Sequence, residues 1–552
     1  MKRKLISLSM VTSMLVTLLA GCGNAQPSVG ESTSTPTQSG SVKESTSSVS
    51  SEKIEEAISY PLEGNIKLEI AIVNHTAVSA ISGDISETPF AAEWEKQTGV
   101  DIEWIVLETQ DALALMFADG DLPDIVINAA SKYSGGVEGA IADKVIEPLT
   151  YEEMEKWAPD LLETLKGNDY ARKLVTTNDG KIIGFPFIRG DEYLQFSNGL
   201  ICRADWLEKL NMEVPTTLDE FEAMLVAFKE KMGAQYPISA HSDYLGLYVD
   251  CGSIMSAFGI PTSSAYQVNG EYHLGYAEPE YKEALAWLHK LYEQGLIDPN
   301  LSAIATSTMN ANFCDGISGV VFNSVGGGIG TYMSTMKDVN PEYDLVAIPS
   351  LVAKEGDRPM YGYVENVVPG NYGWITSQCK DREAAMKFLN YGYTEAGGKL
   401  MNYGVEGVSY NMVDNYPTYT DLILNNSDGL TVQQAMAQYS LAAYVNGPFV
   451  QQKEYMEQYA ARPQQKTAIE TWMDCDALDY IVPALSIQED ADEFSKIGAD
   501  ITSYKGEMFI KFITGAVSLD DYESVYLKTL EEMGVKRYIE IAQKALDAFN
   551  AK

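Results

Sequence analysis

The sequence predicts an α/β protein of two lobes. Two observations carry this. Residues 66–127 alternate strand, helix, strand, helix, strand, the pattern of a parallel sheet with covering helices. The body behind the N-terminal region runs from Tyr60 to Lys552, more chain than a single hydrophobic core accommodates.

Each element follows from local chemistry. Ile66 to Val73 alternates and then turns fully apolar, as a strand entering a sheet does. Pro89 to Thr98 reads as a helix with Phe90 and Trp94 on one side, and Val100 to Val106 as a second strand. Asp111 to Ala118 is a short helix. Asp119 to Asp124 is a turn, and Ile125-Val126-Ile127 is a third strand. In sheets of this kind ligands bind beyond the C-terminal strand ends, which here carry Asn74-His75 and Ala130-Ser131-Lys132-Tyr133. Thr177 to Lys181 is a turn whose Asp179-Gly180 supplies the positive φ. Thr217 and Glu220 form a capping box opening a helix. Tyr281 to Gly295 and Val535 to Phe549 are amphipathic helices with their apolar positions on one face.

The N-terminus is an export leader. Lys2, Arg3 and Lys4 precede an uncharged stretch from Leu5 to Ala20. This is short for a membrane span, which needs about 20 apolar residues. It ends in Leu19-Ala20-Gly21-Cys22, which resembles the lipobox of bacterial lipoproteins. Residues 1–21 are therefore expected to be removed and Cys22 to be acylated. The Ser/Thr-rich segment that follows, within 22–59, buries too little apolar surface to order itself and reads as a tether.

Composition narrows the function. The chain carries 78 acidic against 39 basic residues, a net charge of −39. Without Lys2, Arg3 and Lys4 the mature chain has 36 basic residues and a net charge of −42. Nucleic acid and anionic lipid are poor partners for such a surface. Five cysteines follow Cys22 at wide spacings (202, 251, 314, 379, 475), with no disulfide framework and no zinc pattern. The four histidines are scattered, and there is no P-loop and no GxSxG. Gly326-Gly327-Gly328-Ile329-Gly330, after an apolar run, reads as a glycine-permitted turn into a helix rather than a phosphate cradle.

Several stretches, taken in order, resemble one family. They are Ala118 to Ile125 (ADGDLPDI), Arg203 to Leu210 (RADWLEKL) with Pro215 to Phe221 (PTTLDEF), Ala286 to Tyr292 with Gly295 to Pro299 (GLIDP), Asn402 to Tyr410, and Met533-Gly534 with Arg537-Tyr538 and Ala542-Gln543. The chain is identified as similar to the long-chain, family 1 type extracellular solute-binding lipoproteins that serve carbohydrate ABC importers. The resemblance implies a type II periplasmic-binding-protein-like fold with an interlobe cleft. Lobe 1 is expected from 60–188 plus about 356–440, and lobe 2 from about 189–355 plus about 441–552. It implies a carbohydrate ligand, ABC permease subunits as partners, a monomer anchored by lipid to the outer face of the bacterial membrane, and neither catalysis nor a cofactor. Many relatives carry a calcium loop after an "AFK" segment. Here Ala227-Phe228-Lys229 runs into a stretch without the oxygen ligands such a loop needs, and the segment ending Asn178-Asp179-Gly180 has Val175 and Pro186 at ligand positions, so no metal is expected.

A saccharide site needs aromatic faces and paired polar groups. The expected contributors are Trp374 as the stacking ring, with His75, Tyr133, Tyr193, Asn323 and Tyr410 at strand ends or crossings. Arg203 either reaches the cleft or pairs with Asp205. His241 and Asp243 share a loop, and Glu406 lies between glycines. Two rivals stay open: a cell-surface glycoside hydrolase, which needs two carboxylates about 5–10 Å apart, and the same fold holding a peptide or another solute.

Overall fold

The computed structural model describes residues 58–127, 133, 136–444, 447–487 and 490–552. The leader, Cys22 and nearly all of the tether lie outside the described residues. Among the described residues the strands are β1 Ile66–Val73, β2 Val100–Leu107, β3 Ile125–Ile127, β4 Phe185–Pro186, β5 Ile188–Arg189, β6 Asn198–Arg203, β7 Ala265–Val268, β8 Glu271–Leu274, β9 Val320–Ser324, β10 Leu345–Ile348, β11 Tyr372–Ile375, β12 Tyr410–Val413, β13 Tyr416–Tyr419 and β14 Val450–Gln451.

The first sheet has the order β2-β1-β3-β11-β4. β2 and β3 both run parallel to β1, in the register Ile66↔Val100 and Ile70↔Ile125, while β11 runs antiparallel to both its neighbours, β3 and β4. The helix Pro89–Thr98 makes the first return. Thr88 caps it by accepting from the Ala91 N–H, Pro89 occupies its first turn, and Gly99 ends it at φ 75°. Its buried Trp94 stacks on Phe388 at 4.7 Å, pinning helix Arg382–Asn390 to the same face. Burial of such a ring contributes about 2–3 kcal/mol, so the sheet and its cover form as one unit.

The second sheet is antiparallel, β10-β6-β9. Helix Leu218–Met232 begins with the expected capping box, Glu220 N–H to Thr217 Oγ1 at 3.3 Å and Thr217 N–H to Glu220 Oε2 at 3.1 Å. Helix Pro279–Glu293 buries Ala284, Leu285, Leu288 and Leu291, and helix Val535–Asn550 buries Ile541, Ala542, Ala545, Leu546 and Phe549. Gly199, in β6, lies flat against the Trp472 indole: a Cβ there would sit 2.3 Å from Nε1. Cys202, Cys251 and Cys475 are buried thiols, Cys314 and Cys379 are half-buried, and none is bridged.

Three segments cross between the sheets and are hydrogen-bonded to one another. β5 pairs in parallel with β14, and the Ile188 N–H donates to the Phe449 carbonyl at 3.1 Å. The Arg189 N–H donates to Val367 O at 2.8 Å, and the Glu365 N–H to Gln195 O at 2.8 Å. The boundaries differ from the sequence expectation at two places. Segment 441–451 packs on the first lobe: Leu441 N–H donates to Met401 O, Asn402 Nδ2 to Val450 O, and a Cβ on Gly392 would collide with Pro448 O. Residues 358–361 pack on the second, through Met360 N–H to Ser256 Oγ, Asp476 N–H to Pro359 O, and Arg358 paired with Asp474 and Asp476. Neither segment has a periodicity that assigns it to a side. Away from the crossings the lobes also touch along a small seam, where Tyr170 meets Phe549 edge-on at 5.8 Å, Lys552 donates to Thr176 O, and Ser486 donates to Glu138.

Candidate functional site: the cleft between the lobes

In sheets of this kind ligands bind beyond the C-terminal strand ends, so the ends of β1 and β2 and the three crossings between the lobes are where a site is sought. At the end of β1, His75 caps the short helix Thr76–Ser79. Its Nδ1 accepts from the Ala77 N–H at 3.1 Å. An accepting Nδ1 is unprotonated, so the proton of the neutral ring sits on Nε2. The imidazole stacks on Tyr444 at 4.7 Å with planes 8° apart. Burial holds its pKa down to about 4, so the ring is neutral at physiological pH. Asn74 gives its Nδ2 to Gly83 O at 2.9 Å, while its Oδ1 is buried with no partner. Gln110, in the first turn of helix Gln110–Asp119 beyond β2, also carries a buried, unpartnered Oε1. Tyr133 meets the edge of Phe117 at 5.2 Å and donates its hydroxyl to Asp143 at 2.8 Å. Segment 128–132 lies outside the described residues.

The crossings are organised by one ion pair. Arg189 spends its guanidinium on Leu194 O (2.9 Å), Asn366 O (3.1 Å) and Glu365 Oε2 (2.5 Å). Glu365 also accepts from the Tyr363 hydroxyl at 3.1 Å and keeps 28% of its side chain exposed. Tyr193 is 8% exposed, with the Lys453 ammonium 5.1 Å from its ring centre. On the second lobe, Asn323 donates to the Tyr332 hydroxyl, which donates to Asn310 Oδ1, both at 2.7 Å. The glycine run 325–330 is a single π-type turn: Ser324 Oγ accepts the Gly327 N–H at 2.9 Å, and Gly326 lies against the Tyr459 ring.

The other expected residues lie elsewhere. Trp374 is 1% exposed, at the centre of β11 between β3 and β4, against Gly184 and 6.3 Å from Phe117. It is a core ring and offers no face to a solute. Arg203 takes the pairing alternative. It is bidentate to Asp205 at 2.7 Å, both side chains are 4% exposed, and the guanidinium is held between Trp206 (4.5 Å) and Tyr343 (4.3 Å). Tyr410 is buried beside Tyr403 in the β12–β13 hairpin, and Glu406 is exposed next to it. His241 caps helix Ser242–Asp250 by accepting from the Asp243 N–H, and Asp243 is solvated. The structure thus brings His75 together with Tyr444, beside Asn74 in the chain, and Tyr193 with the crossings. Sequence inspection missed Tyr444, Gln110 and Glu365. Tyr444 reaches His75 across 369 residues of chain, and no local signal marks such a pairing.

The geometry is that of a two-lobed capture protein. The sequence profile of the bacterial extracellular solute-binding proteins matches residues 79–399, and the chain belongs to that family. It is 26% identical over 535 residues to the fructooligosaccharide ABC transporter substrate-binding protein of Streptococcus pneumoniae, covering 90% of this chain and 93% of that one. It is 25% identical over 373 residues to a lipoprotein of Bacillus subtilis, covering 64% and 70% of the two chains. Among solved structures, the alginate-binding protein AlgQ2, crystallised without calcium, superposes with a TM-score of 0.68 at 20% identity, over 88% of this chain and 99% of that one. Among the described residues, no helix is long and apolar enough to cross a membrane.

Proposed function

We propose that the chain is the substrate-binding component of an ABC importer, capturing a sugar or oligosaccharide outside the cell and delivering it unchanged to membrane permeases. The observation that carries this is the two-lobed fold itself, with two sheets joined by three hydrogen-bonded crossings, in a chain that belongs to the solute-binding family. The relative named for fructooligosaccharides supports the carbohydrate assignment. The working lobes are 60–188 with 372–451 and 198–361 with 463–552.

A ligand touching both lobes favours the closed form by its differential affinity. Moving a 1:99 population to 99:1 takes about 5.5 kcal/mol, a few good hydrogen bonds and one buried ring face. On the first lobe His75, Tyr444 and Tyr133 contact the ligand, Tyr193 lines the floor, and Asn323 contacts it from the second. Cys22 is the acylated N-terminus. With multiple chains, at about 0.8 kcal/mol per buried methylene, it holds a monomer at the outer face of the membrane. A thermal-shift screen of mono- and oligosaccharides tests the reading, since a ligand bound only by the folded form raises the midpoint. A sugar that shifts it supports the proposal; a shift by peptides and by no sugar overturns it.

A further inference from the structure

The lobes are joined by more than the crossings. From the first lobe, the seam between them takes Glu138 in helix Gly136–Ala142, Tyr170 in helix Asp169–Leu174, and the Thr176 carbonyl just beyond that helix. From the second it takes Ser486, Phe549 near the end of helix Val535–Asn550, and Lys552. Tyr170 and Phe549 meet edge-on at 5.8 Å, the Lys552 ammonium donates to Thr176 O, and the Ser486 hydroxyl donates to Glu138 Oε1. Burial lowers the pKa of Lys552 and the Glu138 carboxylate opposes that shift, so the two polar contacts belong to one partly desolvated patch. Beside the ring pair, a cavity of ≈210 Å³ is lined by Asp169, Tyr170 and Lys173 of one lobe and by Ile481, Leu546 and Phe549 of the other. The seam is therefore in contact but incompletely filled, unlike the close-packed interior of a lobe.

None of these residues belongs to a crossing. Flexing the crossings turns one lobe about them, and a contact set apart from that axis is then either parted or pressed together. Atoms already touching repel steeply when pressed, so the turn proceeds in the sense that parts the seam. We infer that the seam is an end-stop and latch of the hinge: Tyr170–Phe549, Lys552–Thr176 and Ser486–Glu138 hold the lobes in the arrangement described above, against a turned arrangement in which all three are broken. A ligand shifts a two-state equilibrium only by its differential affinity. The latch therefore sets the starting population from which any ligand works, and seam residues tune apparent affinity alongside those that touch the ligand. This holds for a saccharide or any other solute.

Double electron–electron resonance on the full chain without ligand tests this. Spin labels at Asn178 and Glu271, exposed positions on the two sides of the seam, report its opening. Attaching them through non-natural residues leaves the native thiols alone. Lys552→Ala, Ser486→Ala and Phe549→Ala are each expected to raise the population of a longer distance by about five-fold, the effect of one lost ring pair or hydrogen bond. A pair within the first lobe, Glu155 and Asn178, keeps its distance, which separates turning of the lobes from loosening of one lobe. Phe549 is buried, so if Phe549→Ala does not fold, the two polar variants carry the test. Folded variants with the wild-type distance distribution across the seam overturn the latch. Because no sugar enters the measurement, that failure is distinct from failure of the importer reading, which the thermal-shift screen decides.

Discussion

Arg203 and Arg189 are both buried guanidiniums, and their partners decide what each contributes. Arg203 is closed on Asp205 and two rings within one lobe. Asp205→Asn leaves that charge buried and uncompensated, which costs about 3–5 kcal/mol of stability by urea denaturation; saccharide affinity, measured well below the midpoint, stays unchanged. His75 gives a pH signature. Its ring is neutral when folded, with a pKa of about 4 against 6.5 in the open chain, so below about pH 6.5 the unfolded state binds the extra proton. Stability from this group therefore falls as pH drops from about 6.5 to about 4 and levels off below. The difference in midpoint between His75→Gln and the wild type, followed over that window, shows the slope removed by the variant. The Arg203–Asp205 pair was visible in the sequence as two close charges. Arg189–Glu365 was not, because its partners are 176 residues apart.

At the scale of elements, what was legible is what local chemistry writes. The alternation of β1 and β2, the Thr217–Glu220 box and the apolar stripe of helix Pro279–Glu293 all depend on residues a few positions apart. Thr217→Ala costs about 1 kcal/mol, read as a drop in urea midpoint at constant slope. Trp374 marks the limit. Next to Gly370-Asn371-Tyr372-Gly373 it reads as lying at a strand end, yet β11 lies inside the sheet because β3 and β4, from distant parts of the chain, pair on either side. Trp374→Ala is expected to cost about 3–5 kcal/mol as a core truncation and to leave the ligand preference of the surviving folded protein intact. The stacked His75–Tyr444 pair is the converse: a half-buried feature assembled by packing, with only its histidine marked in advance by a strand terminus.

For the whole molecule, the division into two lobes followed from chain length, whereas the exact crossings did not, since extended segments shared between lobes carry neither helical nor strand periodicity of their own. The lobes meet at the crossings and at the small seam around Tyr170 and Phe549. A saccharide that raises the thermal midpoint is expected to lower the radius of gyration in solution scattering as well. An unchanged radius at saturating ligand removes lobe closure from the mechanism.

The lacing of the three crossings has a mechanical consequence. Sliding one strand past its neighbours breaks the bonds from Ile188 to Phe449, Arg189 to Val367 and Glu365 to Gln195, whereas flexing all three together preserves them. The join thus behaves like the spine of a book, stiff to shear and compliant to folding. Every cargo that shuts it brings the covers to the same alignment, and a receptor feeling only the covers learns that the book is shut, not what page it holds.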